Sequence, residues 1–199
     1  REKDQEAYEK TAEQRSSVRQ WRHPSFAKSG ISGREYGNVI HAVMQYIAYE
    51  KCTGVHEIRQ EAEKLKEHGF LTDDQLETID FEMLMAFFDS EIGRKLRSGV
   101  SYLREFKFSI LDDGSRYDPN LKGEQVLLQG VVDCAIIDED GIVILDFKTD
   151  FVTEETVNAA AGRYRPQVDT YASAMSRIYQ KPIKGRYLYF FRLDRLVEV

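Results

Sequence analysis

Apolar positions recur along this chain in two rhythms, and the change from one to the other divides it. From Glu35 to Glu50, Tyr36, Val39, Ile40, Val43 and Ile47 return at three- and four-residue steps. That spacing predicts one buried helix face, opened by Ser32 or Gly33. Thr72 with Gln75 three residues on forms a capping-box pattern ahead of Leu76 and Ile79, and Met83, Leu84, Phe87 and Phe88 carry the stripe onward. Two or three shorter helices are expected there. After Gly99 the step falls to two. Tyr102, Arg104, Phe106, Phe108 and Ile110 predict a strand that ends in the turn-rich stretch from Asp112 to Asn120.

Val126 to Ile137 and Ile142 to Lys148 are rich in β-branched residues and are separated by Asp138, Glu139, Asp140 and Gly141, which signals a hairpin. Both runs are nearly all apolar, as central strands are. Pro166 is expected to open a helix reaching about Gln180, with Val168, Ala172, Met175 and Tyr179 facing inward, before the aromatic strand Arg186 to Phe191. The pattern predicts an α/β (α+β) fold, a mixed central sheet flanked by helices, with a helical N-terminal half. Arg1 to Gln20 mixes both charge signs with few large apolar residues before Trp21 and Pro24. Residues 1–24 are therefore expected to be a charged tether and residues 25–199 the folded domain.

Composition narrows the function classes. Lys and Arg total 28 against 34 Asp and Glu, a formal charge of -6 that repels a polyanion unless basic residues are gathered locally. A free-standing, charge-driven nucleic-acid binder is disfavoured. No apolar run approaches the roughly 20 residues of a bilayer-spanning helix, so a soluble protein without a membrane partner is expected. Cys52 and Cys134 alone build neither a disulfide framework nor a four-cysteine zinc or iron-sulfur site, and a reducing cytosol suits them best. The first residue is Arg1 and charged residues follow it, so no targeting segment is visible and the chain looks excised from something longer.

Two acids interrupt the apolar hairpin: Asp133 in Gly130-Val131-Val132-Asp133, and Asp146 in Leu145-Asp146-Phe147-Lys148. If Ile137 pairs with Ile142, the register carries Asp133 opposite Asp146, with Cβ atoms about 4.5 to 5.5 Å apart. Two carboxylates so close and poorly solvated repel unless one is protonated or a cation lies between them, and a divalent metal is the natural resolution. Period two puts the Lys148 ammonium on the face of Asp146, where it can hold a phosphate oxygen or a water. A one-residue bulge would separate the two acids, and a buried salt bridge is the competing explanation of the trio. A D-x-K triplet alone is common; its place in a central strand, with a second acid at the matching position, is what singles it out.

Gly37-x-x-x-His41, Arg104-Glu105-x-x-Phe108, Gly130-Val131-Val132-Asp133, Asp146-Phe147-Lys148-Thr149-Asp150 and Gln167-x-x-x-Tyr171 follow one another along the chain. In that order they resemble the PD-(D/E)XK nuclease superfamily, and within it the RecB-like nuclease domain that ends the AddA subunit of bacterial helicase-nucleases. The closing Tyr189-Phe190-Phe191-Arg192-Leu193 resembles the last strand of AddA proteins. The resemblance implies a restriction-endonuclease-like sheet and a metal-dependent DNA exonuclease. His41, Asp133 and Asp146 would ligate Mg²⁺, for which Mn²⁺ could substitute, and Lys148 would be the catalytic lysine. It also implies single-stranded DNA as substrate, cutting of the 3′-terminated strand, and a helicase motor on the same polypeptide. A partner subunit of the AddB type, with a role in double-strand-break processing in a bacterial cytoplasm, completes what it implies. A catalytically inactive nuclease fold that guides DNA or serves in docking is the alternative, and the intact acid, acid and lysine set speaks against it. An iron-sulfur nuclease is excluded by the two cysteines.

The residues themselves support this in part. His41 lies beside the apolar stripe, and Gly37 one turn earlier clears space above it. Gln167 and Tyr171 share a helix face and could reach the mouth of the site; a helix-capping Gln and a packed Tyr are the simpler reading. Strand alternation groups Glu105 with Leu103 and Lys107, opposite Phe106 and Phe108. It is assigned a supporting role, with a surface salt bridge to Arg104 or Lys107 equally open. Arg163, Arg165, Lys184, Arg186 and Arg192, with Tyr164 and Tyr187 interleaved, form a candidate track for a single strand, although such runs are usually solvated faces. Thr149 and Asp150 are assigned no chemistry, and His23, His56 and His68 match no motif.

Overall fold

Ser32 starts the first helix as the sequence suggests: its side chain accepts from the Glu35 N–H at 3.2 Å, and α1 runs Gly33–Tyr46. The computed structural model describes residues 31–199, so the expected tether at residues 1–24, with Trp21, His23 and Pro24, lies outside the described residues. Four helices follow: α2 (Val55–Glu67), α3 (Asp73–Thr78), α4 (Phe81–Asp89) and α5 (Glu91–Arg97). The capping box at Thr72 and Gln75 is formed, but the stripe beyond it is broken. Asp80 accepts from the Met83 N–H and starts α4 afresh, so Leu76 and Phe87 belong to different helices.

Five strands make one sheet in the order β1-β2-β3-β4-β5, with β1 Tyr102–Asp113, β2 Gln125–Asp138, β3 Gly141–Lys148, β4 Ile183–Phe190 and β5 Arg195–Glu198. The hairpin between β2 and β3 has the expected register: Ile137 faces Ile142 and the ladder runs to Cys134 facing Leu145. β3 pairs with β4 in parallel, which makes the sheet mixed, and the long helix α6 (Val157–Tyr179) connects them. The short strand β5 has no counterpart in the sequence pattern.

Pro166 does not open α6. It lies inside the helix, which begins at Val157. Val157, Ala160 and Ala161 are buried against the sheet, and that packing holds the first turns despite a proline that cannot donate to the carbonyl four residues before it.

Two cores result. α1 to α5 pack on one sheet face through Tyr36, Ile40, Phe87 and Phe88, meeting Leu145, Phe147 and Tyr189; α6 packs on the other through Val168, Ala172 and Met175, meeting Ala135, Ile144 and Leu188. Among the described residues no helix is long and apolar enough to cross a membrane.

Candidate active site

The pleat changes phase at one residue. Leu103 and Phe106, three apart, both pack on the α6 side, whereas Arg104 reaches the other side and donates to the carbonyls of Met44 and Ile47 at the end of α1. Glu105 between them is left-handed at φ 47, an unfavourable conformation for a residue with a side chain. The flanking pairs Arg104 with Cys134 and Phe106 with Val132 keep one register, so Glu105 falls level with Asp133 outside the ladder. This parts Glu105 from Leu103, with which simple alternation groups it, and leaves it opposite Phe106 and Phe108 as expected. The Arg104 cation at the negative end of α1 ties β1 to that helix, and so places Glu105 beside His41.

His41, Glu105 and Asp133 converge: one ligating atom from each lies within 4.8 Å of the others. His41 Nδ1 is 3.6 Å from Asp133 Oδ2 and 3.9 Å from Glu105 Oε1. The other ring nitrogen, Nε2, is 3.1 Å from the Phe147 carbonyl oxygen. A carbonyl only accepts, so Nε2 carries the proton and Nδ1 is turned toward the acids, the arrangement that orients histidine ligands in metal sites. Gly37, one turn before His41, leaves room for the chain leaving β3: a Cβ there would come within 3.0 Å of Thr149 Oγ1.

The β2–β3 ladder stops one step before the two aspartates. At that step the Phe147 N–H donates to Asp133 Oδ2 at 2.8 Å, so a side chain stands in for the strand backbone. Asp146 is 1% exposed; its Oδ2 lies 2.7 Å from Lys148 Nζ but has no aligned hydrogen bond. Lys148 Nζ is also 3.5 Å from Gln167 Oε1, and Gln167 donates through Nε2 to the Tyr171 hydroxyl at 2.5 Å. Tyr171 is buried and meets Phe108 edge-on, so the helix pair serves both packing and the site's rim.

The electrostatics follow from crowding. Burial, then the Asp146 charge, push the Asp133 pKa up to about 7, against the opposing pull of His41, the Phe147 N–H and Lys148. Burial also raises Asp146, partly countered by Lys148. Burial would lower His41, but Glu105, Asp133 and Asp146 outweigh it and raise its pKa. An oxygen-rich set with one imidazole, a poorly satisfied buried carboxylate and mutual repulsion suits a hard divalent cation, so the residues present fit a metal of the Mg²⁺ or Mn²⁺ kind. His41, Asp133 and Glu105 are the closest group. Asp146 stands beside it, paired with Lys148, whereas the sequence pattern points to Asp146 as the third ligand with Glu105 in support.

Glu105 is drawn in by its left-handed backbone, which no period-two pattern reveals; the sequence trace of it is Leu103, apolar and out of phase with Phe106, Phe108 and Ile110. Of the five cations in the candidate strand track, Lys184 pairs with Asp140, Arg186 with Asp169, and Arg192 donates to the Thr149 carbonyl, so the run is largely engaged by its own neighbours.

Comparison with known proteins bears on this site. A family model described as the PD-(D/E)XK nuclease superfamily matches residues 12–197. The chain is 34% identical, over 85% of its length, to an ATP-dependent helicase/nuclease subunit from Clostridium novyi (strain NT), and covers 14% of that protein. It is 35% identical over 95% of its length to the protein of that name from Bacillus licheniformis, and covers 17% of it. A Bacillus mycoides protein of that name is 31% identical over 86% of the chain. The chain thus spans under a fifth of the curated relatives it matches.

Proposed function

The chain belongs to the PD-(D/E)XK nuclease superfamily, and we propose that it is a metal-dependent DNA exonuclease module acting on single strands. The observation that carries this reading is the convergence of His41, Glu105 and Asp133 at the sheet end, with Asp146 and Lys148 on the adjoining strand. The site would hold Mg²⁺ through His41, Asp133 and one or both of Glu105 and Asp146. A cation held there would supply Lewis-acid polarisation of a phosphodiester and a more acidic water. His41 is fixed for ligation by the Phe147 carbonyl. Lys148, steadied by Asp146 and Gln167, presents an ammonium where charge builds on the phosphate oxygens, and orients the attacking water for in-line displacement. Gln167 and Tyr171 link that lysine to the rim of the site.

The relatives are named as parts of helicase/nucleases, and the chain covers only a nuclease-sized fraction of them. We assign it a place downstream of a helicase motor on one polypeptide, beside an AddB-type partner, in double-strand-break processing. A module supplied with DNA by a motor needs little electrostatic capture of its own, which accords with a net charge of -6. Labelled single-stranded DNA with Mg²⁺ or Mn²⁺ tests the reading. The unaltered chain should degrade it, and Asp146→Ala and Lys148→Ala should lower the rate at least about a hundredfold with folding unchanged. Undiminished cleavage by both variants would place the chemistry elsewhere.

A further inference from the structure

Among the described residues, three groups surround the Lys148 ammonium. Asp146 Oδ2 is 2.7 Å away, Gln167 Oε1 is 3.5 Å away, and the ring centroid of Tyr164 is 4.0 Å from Nζ. The first two belong to the site already described; Tyr164 does not. Its ring is itself fixed, because the hydroxyl donates to Asp150 Oδ1 at 2.9 Å. Asp150 lies two residues beyond the end of β3, and Tyr164 lies in the part of α6 ahead of Pro166. A carboxylate just past β3 thus clamps an aromatic ring from the facing helix onto the lysine that ends that strand.

We propose that Tyr164, locked by Asp150, is the positioning residue that confines Lys148 to its working place beside Asp146. The proposal rests on the reading of Lys148 as the catalytic lysine. A lysine has four flexible carbons, and a single carboxylate contact leaves the chain free to pivot about it. The negative face of a tyrosine ring attracts the ammonium on a second side. A carboxylate in the ring's place would take up the third N–H donor; a ring attracts the cation without accepting a directed hydrogen bond, so that donor stays available for a phosphate oxygen or a water. Burial, reinforced by Asp150, pushes the Tyr164 phenol up to about 12, so it remains a neutral donor to Asp150 under neutral assay conditions. The buried Val157, Ala160 and Ala161 hold the turns that carry the ring, which gives the proline-containing start of α6 a role in the site.

The test measures steady-state cleavage of labelled single-stranded DNA at saturating Mn²⁺ by the full chain and its variants. Tyr164→Leu should lower kcat about tenfold while KM, Mn²⁺ affinity and the thermal midpoint stay within about twofold or a degree or two. Tyr164→Phe keeps the ring and loses only the clamp, so it should fall no more than about threefold. Asp150→Ala, which removes the acceptor, should match that loss alone and add nothing to Tyr164→Phe. If Tyr164→Leu fails to fold, the Asp150 and Phe pair carries the test. A wild-type kcat in Tyr164→Leu, a Phe variant as impaired as Leu, or additive losses for Asp150→Ala and Tyr164→Phe would overturn the proposal. Full activity in Lys148→Ala would instead overturn the functional reading beneath it.

Discussion

The Phe147 N–H donates to Asp133 Oδ2 at 2.8 Å, where the hairpin ladder would otherwise continue. The bond fixes a carboxylate inside β2 where the β2–β3 ladder ends, next to Asp146 and His41, with its pKa raised to about 7. The crowding makes that charge destabilising, and the cation binding proposed for the site would account for its retention.

Asp133→Asn keeps an oxygen to accept from Phe147 and removes the charge. Without metal the variant should be more stable than the unaltered chain by about 1–2 kcal/mol at pH 8, as when functional sites are relieved of repulsion. Urea unfolding in the presence of a chelator measures it. Lower stability in the variant would mean that the carboxylate is a structural asset.

The same group sets a pH dependence. The folded pKa of Asp133 lies above its unfolded value near 4, so between those values the folded state binds the extra proton, and stability declines as pH rises toward about 7. His41, also raised, acts in the same direction: its contribution is complete below its unfolded pKa and is lost as pH climbs through the folded one. Metal-free thermal midpoints should fall from pH 5.5 to pH 8, with a shallower slope in Asp133→Asn. A flat profile in the unaltered chain would contradict the assigned repulsion.

Much of this is legible in the residues alone. The apolar hairpin with its two-residue turn dictates the register that brings Asp133 and Asp146 to one level, and the stripe on α1 puts His41 at its edge. Glu105 escapes because a left-handed non-glycine residue reverses the pleat without inserting a residue, leaving the apolar alternation almost intact. Tyr164 and Asp150 escape for another reason: Pro166 looks like a helix start, so the turns before it resemble loop, although Val157, Ala160, Ala161 and Tyr164 already have helical spacing.

Gly93 on α5 packs directly on the backbone at the end of α4. A Cβ there would lie 2.0 Å from the Phe87 carbonyl oxygen and 2.7 Å from the Phe88 Cα, neither of which can rotate aside. Gly93→Ala should cost about 2–4 kcal/mol by forcing the two helices apart. Gly33→Ala, where nothing among the described residues lies within 4 Å, should be neutral or slightly stabilising. Equal effects in chemical denaturation would refute this packing.

Pro166 removes one helical hydrogen bond, the one that the carbonyl of Gly162 would accept. Pro166→Ala restores the donor and should stabilise the chain by about 1 kcal/mol, after allowance for a looser unfolded state. Thermal unfolding checks it. A marked loss of stability would show that α6 needs the proline's fixed angle.

Calorimetric titration of the metal-free chain with Mn²⁺ at pH 7, in two buffers of different ionisation enthalpy, reaches the centre of the account. Saturable binding is expected, with proton release because the cation displaces protons from Asp133 and His41. Asp133→Asn should bind at least about tenfold more weakly and release fewer protons. No saturable uptake by the unaltered chain, or equal uptake by the variant, would show that these acids do not hold a metal.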